Sequence, residues 1–208
     1  MAVPDDLQLH GRLSARHPHH PGDPRGVLED RGAPGLSEAT LPVIEHLVIR
    51  TDGAARGNPG PASLGAVLID GARADALDPL APPDATISQA LGVQTNNVAE
   101  WTGLVEALKL ARRLGSSKVD LFLDSKLIVE QLHGRWRVKD AKLAPLHAQA
   151  KQLLGGFRRW SATHVPRAQN AAADRLANEA LDRVAAGGPA RVARARRIAP
   201  AGGGVGGD

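Results

Sequence analysis

Short apolar runs separated by turns rich in glycine and proline predict the strands of this chain. The first run, Leu47-Val48-Ile49, leads to Asp52, and a turn with many glycines and prolines separates it from the second run. Because short connections of this kind join antiparallel neighbours, we expect the first strands to form a meander. The five predicted strands cover residues 43–51, 62–70, 86–92, 118–123 and 157–165.

Apolar residues recur at helical spacing in four other segments. The strongest signal begins at the polar residues 95–97, which are N-cap types, and continues to a stop at Gly115. Ser125 is expected to cap a short helix that ends at Gly134. The other two predicted helices cover residues 141–154 and the segment that begins at Asn170.

This order of elements predicts an α/β protein with a five-stranded mixed sheet flanked by helices. Three antiparallel strands come first, and two parallel strands that alternate with helices follow. Residues 42–186 form the predicted domain. Residues 1–41 and 187–208 are expected to be disordered tails, because they are rich in proline, glycine, alanine or arginine and show no sustained apolar periodicity.

Charge and composition narrow the classes of function. The chain has 208 residues, a net charge of +4 and a pI of about 9.9, which favours a polyanionic partner. The chain contains no cysteine, which excludes disulfides and thiolate metal sites. We find no apolar run long enough to span a bilayer and no signal-peptide pattern. We therefore expect a cytoplasmic protein without a membrane association, and nothing in the sequence demands more than a monomer.

Four acidic residues lie where predicted elements begin or end. Asp52 follows the first strand and Asp124 the fourth, while Glu100 and Asp174 lie in the first turns of two helices. Since the carboxyl ends of parallel strands form the ligand crevice of an open α/β sheet, we expect these side chains to converge. Converging carboxylates repel one another unless cations hold them, and oxygen ligands suit Mg²⁺ or Mn²⁺. Together with the basic charge, this suggests two-metal chemistry on a phosphodiester.

Each of these carboxylates also has a structural interpretation. Asp52 with the glycine that follows it could simply form a turn after the strand. Glu100 follows Asn97 at the spacing of a capping box, so that it could satisfy only a backbone amide. Asp124 could cap the helix that follows it, and Asp174 could complement a helix dipole. The joint placement of all four acids favours a functional site over these separate roles.

Four motifs follow one another in order along the chain. They are Thr51-Asp52-Gly53 with Gly57-Asn58-Pro59-Gly60-Pro61, Thr95-Asn96-Asn97 with Glu100, Asp124-Ser125-Lys126, and Asn170 with Asp174. Taken together, they resemble the motifs of type I ribonuclease H. The resemblance spans roughly residues 43–185, and four motifs on the expected elements are far more specific than any one of them. It implies a ribonuclease H-like fold with helices on both sides of the five-stranded sheet.

The resemblance also implies an activity and a set of site residues. The activity is hydrolysis of the RNA strand of an RNA–DNA hybrid to give 5′-phosphate and 3′-hydroxyl ends. By that match Asp52, Glu100, Asp124 and Asp174 ligate two Mg²⁺ ions, with Mn²⁺ as an alternative, and contacts to RNA 2′-hydroxyls select the hybrid. The residues expected to contact the nucleic acid are Gly53, Ala54, Ala55, Asn58, Thr95, Asn96, Asn97, Trp136, Arg167 and Asn170.

Three features depart from the family's pattern. The loop before the last helix lacks the histidine of many members, and Arg167 could replace it by holding a phosphate, although it cannot shuttle protons near neutral pH. For His164, just upstream, we prefer a packing or surface role. The basic protrusion is reduced to residues 135–139, where Trp136 either meets the DNA backbone or packs on a helix. Residues 1–41 contain no aromatic residue, so we expect no N-terminal hybrid-binding module.

Other functions remain open at this point. A junction resolvase or a strand-transfer enzyme can use the same fold, but the turn at residues 58–60 and the polar run at 95–97 favour the hybrid nuclease. A catalytically inactive hybrid- or RNA-binding module would keep its function when Asp124 is replaced by alanine. A third alternative is an adaptor that acts through its arginine-containing tail, and deletion of residues 187–208 would show whether hybrid affinity depends on that segment.

Overall fold

The computed structural model of the protein describes residues 43–195, and the predictions for residues 1–41 and for residues 196–208 lie outside this range. The strands are β1 (His46–Ala55), β2 (Gly60–Asp70), β3 (Ala85–Gln94), β4 (Lys118–Leu123), β5 (Arg159–His164) and β6 (Arg191–Ala195). The helices are α1 (Asn96–Arg113), α2 (Lys126–Leu132), α3 (Leu143–Leu154) and α4 (Ala171–Ala185), and a 3₁₀ turn, Arg167–Asn170, precedes α4. In this part of the chain, no helix combines the length and the apolar character needed to cross a bilayer.

All the strands form one mixed sheet in the order β5-β4-β1-β2-β3-β6. The first three strands pair antiparallel, and β4 and β5 are parallel to β1. This confirms the predicted mixed α/β architecture. Because β1 and β4 are parallel neighbours, their carboxyl ends open toward the same edge of the sheet. We call this edge the acidic edge, since Asp52 and Asp124 lie there.

The sheet contains a sixth strand that the sequence does not predict. β6 pairs antiparallel with β3, from Ala85 opposite Ala195 to Gln89 opposite Arg191. The prediction of a disordered tail from residue 187 is therefore wrong for residues 187–195. Alanine and arginine carry little intrinsic strand preference, and here pairing with an existing sheet edge decides the structure. The Arg191 guanidinium contributes by donating to Glu106 Oε2 of α1 at 2.8 Å.

Helices cover both faces of the sheet and place the core between them. On one face, α1 buries Trp101 and Leu104 completely against Leu47 and Ile49 of β1. Each such side chain contributes roughly 1.5–3 kcal/mol when it leaves water. On the other face, α4 crosses β2 at Gly65, where an added Cβ would lie only 2.0 Å from the carbonyl oxygen of Ala173. This close crossing brings the first turn of α4 to the acidic edge.

The starts of α1 and α2 correct two predicted caps. Thr95 is the N-cap of α1, and its Oγ1 accepts from the backbone N–H of Val98 at 3.3 Å. Glu100 is therefore too far along α1 for a capping box, and its Oε1 instead accepts from Asn96 Nδ2 at 2.9 Å. Ser125 is the N-cap residue of α2 but makes no side-chain capping bond. The capping interpretation of Glu100 is thus wrong, which leaves its carboxylate available for another role.

Candidate active site

The four predicted carboxylates come from four different elements that meet at the acidic edge. Asp52 lies in β1 and is only 5% exposed, while Asp124 directly follows β4 and is half-buried. Glu100 lies in α1, and Asp174 lies in the first turn of α4. In that turn Asp174 also complements the helix dipole, as the structural interpretation expected.

Gly53 allows the carboxylates of Asp52 and Glu100 to lie close together. A Cβ at this position would lie 2.3 Å from the backbone nitrogen of Glu100 and 2.7 Å from the carbonyl carbon of Ala99. Only glycine therefore allows β1 to touch the backbone of α1 at this point. The Gly53 N–H donates to Asp52 Oδ1 at 2.9 Å. Gly53 is buried and makes the packing contact that places Asp52 beside Glu100, and the predicted contact of its backbone with the substrate stays a prediction.

The electrostatics of the site show that the carboxylates interact. Burial, followed by the charges of Asp124, Glu100 and Asp174, raises the pKa of Asp52 to about 8. Burial also raises the pKa of Glu100, together with the charge of Asp124, although the nearby Ser125 hydroxyl and the hydrogen bond from Asn96 oppose the shift. In the protein alone, a proton on Asp52 relieves part of the repulsion at neutral pH.

Two carboxylate oxygens of the site lack a partner. Asp52 Oδ2 and Glu100 Oε2 are both buried and accept no hydrogen bond. Buried unpaired carboxylate oxygens are costly, and hard cations such as Mg²⁺ satisfy them. Within residues 43–195, no three acidic or histidine side chains are arranged closely enough to hold a metal ion. The fit to divalent cations therefore rests on the donor chemistry of the two unpaired oxygens.

Asn170 does not face the substrate as predicted. Its side chain is fully buried, and its Nδ2 donates to the Thr51 carbonyl oxygen at 2.9 Å and to Asp124 Oδ1 at 2.7 Å. The assignment of Asn170 as a substrate-binding residue is therefore corrected, because no atom of a bound nucleic acid could reach a side chain with zero exposure. Asn170 instead joins the β1 backbone to the acid that follows β4.

Asp174 is held by an exposed arginine and by a neighbour on its own helix. The side chain of Arg167 is 77% exposed, and its Nη2 lies 2.5 Å from Asp174 Oδ1. Asn178 donates from Nδ2 to the Asp174 carbonyl oxygen at 3.0 Å and to Oδ2 at 3.3 Å. Sequence reasoning missed Asn178, although its i, i+4 spacing from Asp174 on a predicted helix is the signal that could have identified it.

The other predicted substrate residues line the turn and the helix start beside the acids. Ala54 and Ala55 are half-buried at the end of β1, and Asn58 is exposed in the turn that follows. Asn58 Oδ1 accepts from the backbone N–H of Asn96 at 3.2 Å, which ties the turn to the start of α1. Thr95 is half-buried and Asn97 is exposed. We call residues 54, 55, 58 and 95–97 together the polar rim.

The reduced basic segment after α2 presents an exposed tryptophan. Trp136 is 46% exposed, so packing on a helix accounts for only part of its surface. Arg135 is held by Glu130, with Nε 2.5 Å from Oε2, while Arg137 and Lys139 are exposed. His164 is also exposed, and its Nε2 lies 3.2 Å from the backbone carbonyl oxygen of Asp124.

Comparison with known proteins places the chain in a family. Residues 50–180, more than half of the chain, match the family described as reverse transcriptase-like. The chain is 47% identical over 139 residues to the bifunctional protein Rv2228c of Mycobacterium tuberculosis. That alignment covers 67% of this chain but 36% of the relative, so the chain spans about a third of that longer protein.

Two solved structures match over nearly their whole length. Ribonuclease H1 of the halophilic archaeon Halobacterium salinarum is 43% identical with a TM-score of 0.60, and the match covers 66% of this chain and 98% of that one. LC11-RNase H1, solved in complex with an RNA/DNA hybrid, is 35% identical with a TM-score of 0.59, and the match covers 67% of this chain and 99% of that one. The chain therefore belongs to the reverse transcriptase-like family and, within it, to the type 1 ribonucleases H.

Proposed function

We propose that this protein is a metal-dependent endoribonuclease that hydrolyses the RNA strand of RNA–DNA hybrids to 5′-phosphate and 3′-hydroxyl ends. The observation that carries this proposal is the acidic edge, where a desolvated Asp52 interacts with three further carboxylates. The complex of the similar LC11-RNase H1 with an RNA/DNA hybrid supports the choice of substrate.

The four carboxylates are the residues that would hold the ions, two Mg²⁺ or two Mn²⁺. Bound there, the ions would supply an activated water and stabilise the leaving oxygen. Asp52 and Glu100 each offer a buried oxygen that accepts no hydrogen bond. Because burial and like charge raise the pKa of Asp52 to about 8, cations and protons compete for this carboxylate near neutral pH.

Arg167 is placed to exchange its carboxylate partner for a phosphate of the substrate. Its guanidinium is largely exposed and pairs with Asp174, and exposed pairs of this kind are weak. A guanidinium can hold two phosphate oxygens at once, so the scissile phosphate can take the place of Asp174. Movement of Arg167 also frees Asp174 Oδ1 for a cation.

The polar rim beside the acids is suited to both strands of a hybrid. The backbone of residues 54–55 and the Glu100 carboxylate would contact RNA 2′-hydroxyls, the groups by which proteins distinguish RNA from DNA. Asn58, Asn96 and Thr95 present amide and hydroxyl groups that suit the phosphates of the DNA strand. Further along the surface, the exposed Trp136 ring can lie against a sugar, with Arg137 and Lys139 near the phosphates.

A cleavage assay tests the proposal. A labelled RNA–DNA hybrid is incubated with the full chain beside matched RNA duplex, DNA duplex, single-stranded RNA and a four-way DNA junction, with Mg²⁺, with Mn²⁺ and with EDTA. Asp124→Asn should abolish cleavage. The control Asp75→Asn, a half-exposed acid paired with Arg73 in the β2–β3 loop, should retain it.

The outcomes separate the candidate functions. Cutting confined to the RNA of the hybrid, and lost in EDTA and in Asp124→Asn, supports the proposal. Tight hybrid binding without cleavage in either metal would favour an inactive binding module. Cutting of the junction alone would favour a resolvase.

A further inference from the structure

Asn170 occupies the point where β1, β4 and α4 meet. It ends the 3₁₀ turn before α4 and is the N-cap residue of that helix, yet its side chain makes no capping bond. The side chain is fully buried and bridges two other elements by donating to the Thr51 carbonyl oxygen and to Asp124 Oδ1. A residue type that normally caps a helix is here used for a different purpose.

The partners of Asn170 fix the orientation of its amide. Both the Thr51 carbonyl and the Asp124 carboxylate accept hydrogen bonds, so the amide nitrogen, which carries two N–H donors, must face them. As a result, Asn170 Oδ1 is buried without a partner. The fold therefore leaves a polar atom unsatisfied in order to direct two donors at these acceptors, and such an exception requires an explanation.

We propose that Asn170 is a positioning residue that sets the orientation of the Asp124 carboxylate relative to Asp52. The inference rests on the proposed function, since it assigns Asn170 to the cation-binding carboxylates. Asp124 follows the end of β4, where strand pairing no longer holds the chain, so its side chain needs a separate restraint. Through Thr51, Asn170 ties that carboxylate to the residue that directly precedes Asp52.

A neutral donor is the suitable side chain for this task. A carboxylate at position 170 would place another negative group against two acceptors, in a cluster where Asp52 already interacts unfavourably with its acidic neighbours. An arginine or lysine would bring a cation that competes with the metal. An amide supplies two donors and adds no charge, and its Oδ1 accepts no hydrogen bond here.

Loss of this amide should weaken cation binding and the chemical step but not hybrid recognition. In Asn170→Ala the Asp124 carboxylate loses its donor and is free to rotate. Removal of such outer partners of ligands typically lowers metal affinity or activity by about 10- to 100-fold. Because Asn170 has zero exposure, KM for the hybrid should remain within about twofold of that of the wild type.

The experiment compares Asn170→Ala and the isosteric Asn170→Asp with the control Ser63→Ala. Ser63 is also fully buried and joins the sheet to α4 by donating from Oγ to the Ala177 carbonyl oxygen at 2.6 Å, without contact to an acid. Mn²⁺ affinity is measured by calorimetry, kcat and KM on a labelled hybrid at saturating Mn²⁺, and Tm by circular dichroism. Asn170→Ser, which keeps one hydroxyl donor, is used if the alanine variant does not fold.

The expected result is weaker Mn²⁺ binding and lower kcat, at unchanged KM, in the Asn170 variants, with only a lower Tm in Ser63→Ala. An Asn170 variant that matches Ser63→Ala in every measurement would show a merely structural role and overturn the inference. A raised KM with unchanged Mn²⁺ affinity would also overturn it, in favour of substrate contact. If the wild type binds Mn²⁺ but cuts no hybrid, the proposed function fails while the Mn²⁺ comparison still decides the role of Asn170.

Discussion

The two halves of the acidic edge hold their carboxylates by opposite means. In the half formed by β1 and α1, Gly53 brings two backbones into contact, and Asp52 and Glu100 each bury an oxygen that accepts no hydrogen bond. In the half formed by β4 and α4, the oxygens of Asp124 and Asp174 accept from the side chains of Asn170, Arg167 and Asn178.

This difference implies that the two halves have separate roles, one in the affinity for ions and the other in the response to the substrate. Backbone packing brings Asp52 and Glu100 together in the first half, and the resulting unfavourable electrostatics favour a bound cation or proton. Side chains hold the second half: the buried Asn170 fixes Asp124, whereas Arg167 is largely exposed and can change its partner. We infer that the first half determines whether ions bind and that the second half responds to the substrate.

The largest effect is expected from Gly53→Ala. The new Cβ would meet the backbone of Glu100 at 2.3 Å and force β1 and α1 apart. Overpacking of this kind costs about 1–3 kcal/mol of stability, and a displacement of about 1 Å at a catalytic group costs about 100-fold in rate. We therefore expect kcat on the hybrid to fall by at least about 100-fold. Tm is measured on the same variant to follow the loss of stability.

Gly155→Ala is the matched control for this change. Gly155 ends α3 far from the acids, and an added Cβ there would meet its nearest atoms at ordinary contact distances of 3.5 Å. This variant should keep both activity and Tm. If Gly53→Ala retained full activity, backbone contact would not be what holds the first half together.

The next effect is a change in how stability depends on pH. The pKa of Asp52 is raised from 3.8 to about 8 in the folded protein, so the folded state retains a proton that the unfolded state has lost. In EDTA the free energy of unfolding should therefore fall as pH rises from about 4 to 8. Asp52→Asn cannot ionise, so we expect its Tm to exceed that of the wild type most at pH 8.5, and the difference to shrink as pH falls toward 4.

Asp75, whose pKa is lowered instead of raised, provides a control for this test. A hydrogen bond from Arg73 lowers the pKa of Asp75, so its contribution to stability is present above its unfolded pKa and is lost as pH falls. Asp75→Asn should therefore not gain Tm at high pH. Added Mg²⁺ should reverse the advantage of Asp52→Asn, because ions bound to the ionised wild type stabilise its folded state. A Tm difference independent of pH would contradict the raised pKa.

The sequence predicts the first half of the acidic edge better than the second. Asp52, Gly53 and Glu100 belong to local motifs on a strand and a helix whose apolar periodicity is strong, so their elements can be identified before the structure is known. The parallel pairing of β1 and β4 then follows from the alternation of strands and helices. What holds the second half depends on contacts such as Asn170 to Thr51, 119 residues apart, which no local pattern encodes.

The errors at Asn170 and at β6 have related physical causes. Asn170 lies at a helix start in a polar motif, where asparagine is usually exposed or a cap, and only the crossing of α4 over the sheet buries it completely. β6 has a composition that favours no regular structure, and it forms because β3 offers an unpaired edge and Glu106 offers a partner for Arg191. In both cases tertiary contacts override local preference.

A smaller effect is expected from Arg167→Ala in the second half. The Arg167–Asp174 pair is exposed, so its removal should change stability by less than about 1 kcal/mol. Loss of one phosphate contact should weaken hybrid binding and reduce the slope of log K against log salt by about 1. Binding is measured by fluorescence anisotropy between about 50 and 200 mM salt, in EDTA to prevent cleavage.

Arg175→Ala is the control for the charge removed. Arg175 is a similarly exposed arginine on α4 and lies 3.6 Å from Glu179. Its loss should leave the salt slope unchanged. If both variants shift the slope equally, Arg167 contributes only general positive charge and does not contact the phosphate. Arg167→Lys should recover the slope but not the full affinity, because an ammonium cannot form two parallel hydrogen bonds with a phosphate.

The smallest effect is expected from Arg191→Ala, which tests whether either half of the acidic edge depends on the outer strand β6. Arg191 Nη1 donates to Glu106 Oε2 at 2.8 Å, and the pair is partly buried between β6 and α1. Its removal should lower the free energy of unfolding by about 1 kcal/mol in urea titrations, because Lys109 still pairs with Glu106.

The control is Arg194→Ala on the same strand, since Arg194 forms no ion pair among residues 43–195 and should leave stability unchanged. Neither variant should alter kcat or KM, because local contacts hold both halves of the acidic edge. A fall in kcat in Arg191→Ala alone would mean that α1, pinned by β6 at Glu106, transmits strain to Glu100. The first half would then depend on β6, a strand outside the residues that match the family. The division of the acidic edge into a fixed half and an adjustable half would then have to include β6 as a further support of the fixed half.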